Sequence, residues 1–223
     1  MACEPHRGAL TAASRPSQGM QSVALALFLA LTLGAPVVEA RTADQCVTDI
    51  KALLAMEPKA FQASGWRVLG EREGCEIPAA DLMRRFRSEQ EGRLDQNQRL
   101  RLIWHEAQLR AAAGQTPVAI ALFSASRQAG NTERNLYADA TVAFLRKDRP
   151  ELERLRAIYA DMPPPAGFAE SATRFEAANG RKLIWPPNLA VIDGFLACFD
   201  KPYGVAYAQE CRPEVLTSVR MSG

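Results

Sequence analysis

One stretch near the middle of the chain decides its fold: Leu109-Arg-Ala-Ala-Ala-Gly-Gln-Thr-Pro-Val-Ala-Ile-Ala-Leu-Phe123. Gly114 is expected to stop the helix before it, because glycine readily takes the left-handed conformation that ends helices. Pro117 suits the first turn of a new helix, where its missing N–H has no partner to lose. Thr116 is the predicted cap of that helix. A connection this short holds its two helices antiparallel, so the stretch predicts a helical hairpin.

Helical periodicity continues on both sides of this hairpin. The helix before the turn is predicted over 95–113, with one broad apolar face that carries Leu100, Ile103, Trp104, Ala107 and Ala111. After Gly130-Asn131, Thr132 opens another helix, and a further helix begins near Asp148 and Pro150. The segment 95–161 is therefore predicted to form two consecutive hairpins.

These two hairpins align with each other at an offset of 33 residues, since Pro117 falls on Pro150 and Trp104 falls on Tyr137. A period near 34 is typical of tetratricopeptide repeats. The first hairpin resembles that family at its turn, at the small position where two helices touch and at the aromatic position one turn later: Gly114, Ala119 and Phe123. The second hairpin departs from the pattern, because Leu152 and Arg156 stand at the small and aromatic positions. The resemblance implies a partial helical solenoid, and an ordinary helical bundle is the alternative.

The segments on either side of the hairpins are also predicted to be mainly helical. A first helix carries Ile50 and Leu54, and Pro58 ends or kinks it. The alternating stretch 65–70 is predicted to be a short extended piece, and a helix follows from Pro78 toward Gly92. The chain breaks at the prolines of 163–165 and then forms a helix over 168–179 and a terminal helical hairpin over about 187–211.

The aromatic side chains near the C-terminus allow two interpretations. They either line a groove or pack the terminal hairpin against the preceding helices, and the group comprises Trp185, Phe195, Phe199, Tyr203 and Tyr207.

An apolar run over 23–33 near the N-terminus predicts export. Basic residues precede it, and the small residues of Val38-Glu39-Ala40 follow, which is the order of a secretory signal. The run is too short to span a bilayer comfortably. We expect cleavage between Ala40 and Arg41, a single helical domain over 41–223, no membrane insertion after cleavage, and a periplasmic or secreted address. Met20 is an alternative start to Met1.

Four cysteines follow the predicted cleavage site, namely Cys46, Cys75, Cys198 and Cys211. An even number in an exported chain predicts disulfides. Four cysteines allow three pairings, and the spacing favours two local pairs, Cys46 with Cys75 and Cys198 with Cys211. They lack the closely spaced pairs that structural zinc sites usually carry, so no metal is predicted.

The charge balance argues against nucleic acid as a partner. The chain has 27 Lys and Arg against 25 Asp and Glu, a formal net charge of +2. Such a balance gives no overall field that would attract nucleic acid. No catalytic or cofactor-binding motif is present, so no cofactor is predicted. The weak acid–base candidates are His105, Glu106 and Asp193.

These observations favour a non-catalytic, all-α binding module for a peptide or protein partner in the cell envelope. Two alternatives stay open. One is an envelope-acting enzyme of the hydrolase type, which requires the acid–base candidates to converge in a pocket. The other is a structural stabiliser of an envelope complex, which requires an exposed apolar patch.

Overall fold

The computed structural model describes residues 46–213, and this part of the chain is α-helical with no β-strand. The predicted all-α fold class is therefore confirmed. The predicted signal segment 1–40, including Ala40 and the following Arg41, lies outside the described residues. The N-terminal helices are α1 (Ile50–Leu54), α2 (Pro58–Ala60), a π-helical turn (Phe61–Gly65), α3 (Arg67–Gly70) and α4 (Glu76–Glu89).

The predicted extended piece at 65–70 is wrong, because a π-helical turn and α3 occupy this segment. Trp66 and Leu69 are both buried in the N-terminal core. Residues three apart lie on one face of a helix, whereas they point to opposite faces of a strand. Burial of both side chains in one core therefore favours the helical conformation over the extended one.

The two central hairpins form where the turn residues predict them. They consist of α5 (Gln96–Ala112), α6 (Thr116–Ala125), α7 (Thr132–Leu145) and α8 (Arg149–Ala160). Gly114 has a φ of 74°, as expected for a glycine that ends a helix. Helix α7 begins at Thr132, as predicted, and the Asn131 side chain caps it. The predicted cap of α6 is wrong, because Thr116 is the first residue of α6 rather than its cap.

Helix α5 is buried on two sides, not on the single broad face that its sequence suggests. Leu102 and Leu109 pack into a core with α1–α4. Trp104 and Ala107 pack into a second core with α6, α7 and α8. Because both cores use α5, this helix connects the N-terminal and C-terminal parts of the described chain.

The C-terminal part contains α9 (Phe168–Asn179), α10 (Leu189–Ala197), α11 (Tyr203–Tyr207) and a 3-10 turn (Gln209–Cys211). Helix α10 packs against α7 and α8, and α11 returns to contact α5. In a solenoid each unit contacts only its neighbours. The contact of α11 with α5 joins distant parts of the chain, so the solenoid that the resemblance implies is not confirmed.

Two disulfides join the four described cysteines in the local pairs that their spacing favours. Cys46 is bonded to Cys75, which ties the start of the described chain to the beginning of α4. Cys198 is bonded to Cys211, which closes the terminal hairpin. The loop-closure model gives such bonds about 3–4 kcal/mol each.

Gly194 allows the close approach of α10 to the end of the chain. A Cβ placed there would lie 3.0 Å from the Ala206 carbonyl oxygen and 3.4 Å from that of Cys211. Both contacts are with backbone, so neither neighbour can simply rotate away.

We predict that Gly194→Ala lowers the free energy of unfolding by about 1 kcal/mol. Overpacking costs about 1–3 kcal/mol, and alanine returns about 1 kcal/mol in helix propensity. Urea unfolding measures the difference. Gly92→Ala is the matched control, because nothing lies within 4 Å of a Cβ at that position. Equal stability of the two variants would contradict the role of Gly194.

Candidate functional site

Two adjoining cavities open between α5, α7 and the C-terminal segments. The wider one, which we name the outer groove, has a volume of about 680 Å³ and is lined by Gln96, Asn97, Leu100, Gln128, Ala129, Gly130, Asn131, Thr132, Glu133, Met162, Pro163, Pro165 and Trp185. The smaller one, the inner pocket, has a volume of about 240 Å³ and is lined by Trp104, His105, Gln108, Asn131, Glu133, Arg134, Tyr137, Asn188 and Tyr207. Asn131 and Glu133 line both cavities, so the two meet at the first turn of α7.

Helical spacing brings the walls of the inner pocket together. Trp104 and Gln108 are four residues apart on α5, and Arg134 and Tyr137 are three apart on α7, so each pair lies on one face of its helix. The Trp104 and Tyr137 ring centroids are 5.1 Å apart. Tyr207 comes from α11, so the pocket is complete only when the C-terminal hairpin packs back onto α5.

His105 lies in the inner pocket as an uncharged imidazole at neutral pH. Its Nδ1 atom is 2.9 Å from the Gln108 Oε1 atom, and its ring stacks on Trp66. Burial lowers the pKa of His105, and the positive charges of Arg67, Arg134 and Arg101 act in the same direction against the Gln108 hydrogen bond.

Two of the four tyrosines of the chain, Tyr137 and Tyr207, line this pocket. The other two contact these rings, Tyr159 beside Tyr137 and Tyr203 beside Tyr207. Burial raises the pKa of Tyr137, Tyr159 and Tyr203, so these hydroxyls stay protonated at neutral pH. The Tyr159 hydroxyl lies against both the Glu133 carboxylate and the Pro187 carbonyl oxygen, and it shares its one proton between these two acceptors. Among the aromatic rings that line the pocket, Tyr137 therefore carries a neutral hydroxyl.

Arg134 is the fixed positive charge of the pocket. Its Nη2 atom donates to the Leu100 carbonyl oxygen at 3.3 Å, and its Nε atom donates to that of Ser126 at 3.5 Å. Its guanidinium carbon lies 5.3 Å from the centre of the Trp104 ring, within the range of a cation–π contact. These contacts hold the side chain in one position at the pocket wall.

The three acid–base candidates lie in different places. His105 lines the inner pocket, while Glu106 faces α4, where it pairs with Arg87 and lies 3.5 Å from Arg110. Asp193 lies on α10 and accepts a hydrogen bond of 2.8 Å from Arg156 on α8. The convergence that an acid–base mechanism needs is therefore not found among these residues.

The C-terminal aromatic residues divide between the two predicted roles. Phe195, Phe199 and Tyr203 are buried in the core, whereas Tyr207 lines the inner pocket. Trp185 lines the outer groove, and its Nε1 atom donates to the Met162 carbonyl oxygen at 2.8 Å.

Sequence reasoning did not select Glu133, Arg134 or Tyr137 as site residues. The available signal was the repeat alignment that pairs Trp104 with Tyr137, because equivalent positions on successive hairpins face the same side. Glu133 gives no such signal, since acidic residues are favoured in the first turn of a helix.

Within residues 46–213, no group of three or more His, Cys, Asp and Glu side chains is arranged to hold a metal ion. In the same range, no helix has both the length and the apolar character needed to cross a membrane. Comparison with protein-family models, characterised proteins and solved structures finds no match for this chain.

We predict that Glu106→Gln lowers the free energy of unfolding by about 3 kcal/mol. Glu106 is 2% exposed, and removing its charge takes the ion-pair partner from the partly buried Arg87, while Arg110 keeps Asp81. Chemical denaturation measures the loss. Glu89→Gln is the control, because the ion pair of Glu89 with Arg85 is about half exposed and contributes less than about 1 kcal/mol. Similar losses in both variants would show that the buried ion pairs of Glu106 stabilise the fold no more than an exposed ion pair does.

Proposed function

We propose that this chain is an exported, non-catalytic module that binds a peptide or protein partner of the cell envelope in the outer groove and the inner pocket. The observation that carries the proposal is a polar and aromatic cavity, open to solvent, that three separate parts of the chain build together. Concave sites of mixed apolar and polar character are the usual places where proteins bind ligands.

The chemistry of the outer groove suits an extended peptide. Gln96, Asn97 and Gln128 line it with side-chain amides. The Gln128 amide donates to the Asn97 Oδ1 atom at 3.1 Å, and the remaining amide donors and acceptors can pair with the polar groups of a peptide backbone. Trp185 and Pro165 add apolar surface on the opposite side, where a peptide side chain can pack.

The positions and ion-pair partners of the acid–base candidates favour binding over catalysis. Glu106 and Asp193 are each engaged by arginines away from the pocket, which leaves His105 without a carboxylate from this set. An envelope-acting enzyme would need other groups to supply acid and base in one place.

A structural role in an envelope complex is the second candidate, and α9 favours it. None of the α9 residues is buried, and Phe175 on this helix is 39% exposed. Leu183 and Ile184 follow it with 38% and 60% exposure. Apolar side chains exposed close together are typical of surfaces that meet another protein.

Export rests on the N-terminal signal pattern and on the disulfides. Disulfides persist in oxidising compartments and are rare in the cytosol. Both described disulfides fit such a compartment, and a periplasmic or secreted location is our proposal.

We predict that the protein recovered from the envelope or the medium begins at Arg41. Intact mass spectrometry before and after reduction is the measurement. Four cysteines are expected to become alkylated only after reduction, because all four are bonded in the folded protein. A chain that keeps residues 1–40 and reacts without reduction would contradict export.

We predict that the purified protein enriches specific sequences from a phage-displayed random peptide library. Gln96→Ala combined with Asn97→Ala is expected to weaken the selected peptides about tenfold, since each lost hydrogen bond costs about 0.5–1.5 kcal/mol. Fluorescence polarisation with the selected peptides measures this change.

Gln209→Ala is the control for that experiment, because this exposed amide lies in the 3-10 turn after α11 and lines neither cavity. Absence of enrichment, or equal weakening by the control, would argue against peptide binding in the groove.

A further inference from the structure

We propose that the inner pocket binds a carboxylate group of a residue-sized ligand, with Arg134 as its anchor. This inference rests on the proposed binding function and names the chemistry that the pocket would take. Four observations support it: the state of Arg134, the charges around it, the neutral donors of the pocket and its size.

Arg134 is held in place and its charge is only partly compensated, because Glu133 raises its pKa through space but forms no ion pair with it. Two backbone carbonyl oxygens and the Trp104 face fix the guanidinium, and no carboxylate of residues 46–213 lies within ion-pairing distance of it. Its Nη1 atom forms no hydrogen bond with this part of the chain. Burial lowers the pKa of Arg134, which reflects the cost of holding this charge away from water. A bound carboxylate would remove that cost, because arginine pairs strongly with carboxylates.

The charges near the pocket are mostly positive. Arg67 and Arg101 act on His105 together with Arg134, and Arg212 acts on Tyr137. Glu133 is the one carboxylate among the lining residues, and it already accepts a hydrogen bond from Tyr159. A ligand with one negative charge therefore meets a favourable potential.

The other polar groups offer hydrogen bonds without adding charge. Tyr137 lines the pocket with a protonated hydroxyl, and Gln108 contributes its amide NH2 group, since its Oε1 atom is hydrogen-bonded to the neutral His105. A volume of about 240 Å³ is below the range of about 300–1,000 Å³ of drug-sized ligand sites. The ligand is thus one residue in size, and it is either the C-terminal residue of a peptide or an acidic side chain.

The test uses three probes with the purified protein, followed by NMR. N-acetylphenylalanine carries a terminal carboxylate, its carboxamide lacks the charge, and the α-amide of N-acetylaspartate carries only a side-chain carboxylate. We expect saturable binding of at least one acid and binding of the carboxamide that is weaker by about tenfold or more, because a hydrogen bond to a charged group is worth about 1.5–3 kcal/mol. The two acids distinguish a chain end from an acidic side chain.

The His105 signal gives a second readout. The charge of Arg134 is among the effects that lower the pKa of His105. A bound carboxylate is therefore expected to raise the pKa of His105, and the carboxamide is expected to leave it unchanged. The same titration on His105→Asn identifies the signal.

Arg134→Gln is expected to weaken the acids about tenfold or more and to leave carboxamide binding as it was. Arg134→Lys is the second variant, used if Arg134→Gln folds poorly. It keeps the charge but lacks the planar fork of arginine, so an intermediate loss of acid binding is expected. Arg154→Gln is the control, because Arg154 is an exposed residue of α8 paired with Glu151.

Equal binding of the acid and the carboxamide would overturn the inference while leaving the proposed peptide binding intact. Binding of inorganic phosphate alone, or of none of the probes at millimolar concentration, would also overturn it. Failure of the library selection tests the proposed function separately, because that experiment does not depend on a carboxylate.

Discussion

The shape of the site depends on the packing of the Tyr203 ring. Its centroid lies 6.3 Å from Phe123, 6.4 Å from Phe144, 5.7 Å from Phe195 and 5.5 Å from Tyr207. It therefore joins α11 to α6, α7 and α10. Each favourable aromatic pair adds about 0.5–1.5 kcal/mol to the stability that the buried area alone provides. The absent side chain of Gly194 and the Cys198–Cys211 bond hold the same hairpin closed behind it. Because Tyr207 is one turn from Tyr203, this packing also sets the wall of the inner pocket.

Glu106 and Arg134 are charged side chains in opposite environments. Glu106 is almost fully buried and lies between Arg87 and Arg110, and Arg110 also pairs with Asp81 at 2.6 Å. Arg134 is half-buried, with backbone carbonyl oxygens and an aromatic face around it but no carboxylate of the described chain at ion-pair distance. The ion pairs of Glu106 maintain the contact between α4 and α5, whereas the charge of Arg134, which Glu133 offsets only in part, is the one that we propose binds a ligand. This difference separates the structural polar residues of α5 from the candidate binding residues of α7.

Several features were predictable because they depend on neighbouring residues. Gly114 and Pro117 mark the hairpin turn by their backbone preferences, and the spacing of the cysteines favours the pairing that the structure has. Others were not predictable from local pattern. The alternation at 65–70 suggested a strand, but burial of Trp66 and Leu69 in one core made the segment helical. The α5 sequence suggested one apolar face, and only the position of α4 explains why Glu106 is buried on the other.

The sequence alone determined the class of fold, the helix boundaries near glycine and proline, the hairpin order and the preferred disulfide pairs. These depend on backbone conformation and on chain separation, which neighbouring residues control. Tertiary structure decided that α11 packs on α5, that Glu133 and Arg134 meet Trp104 and Tyr207 around one cavity, and that His105, Glu106 and Asp193 lie apart. Such outcomes depend on how distant helices pack. A side chain's position along its own helix therefore leaves open whether it faces a core, a partner charge or a ligand.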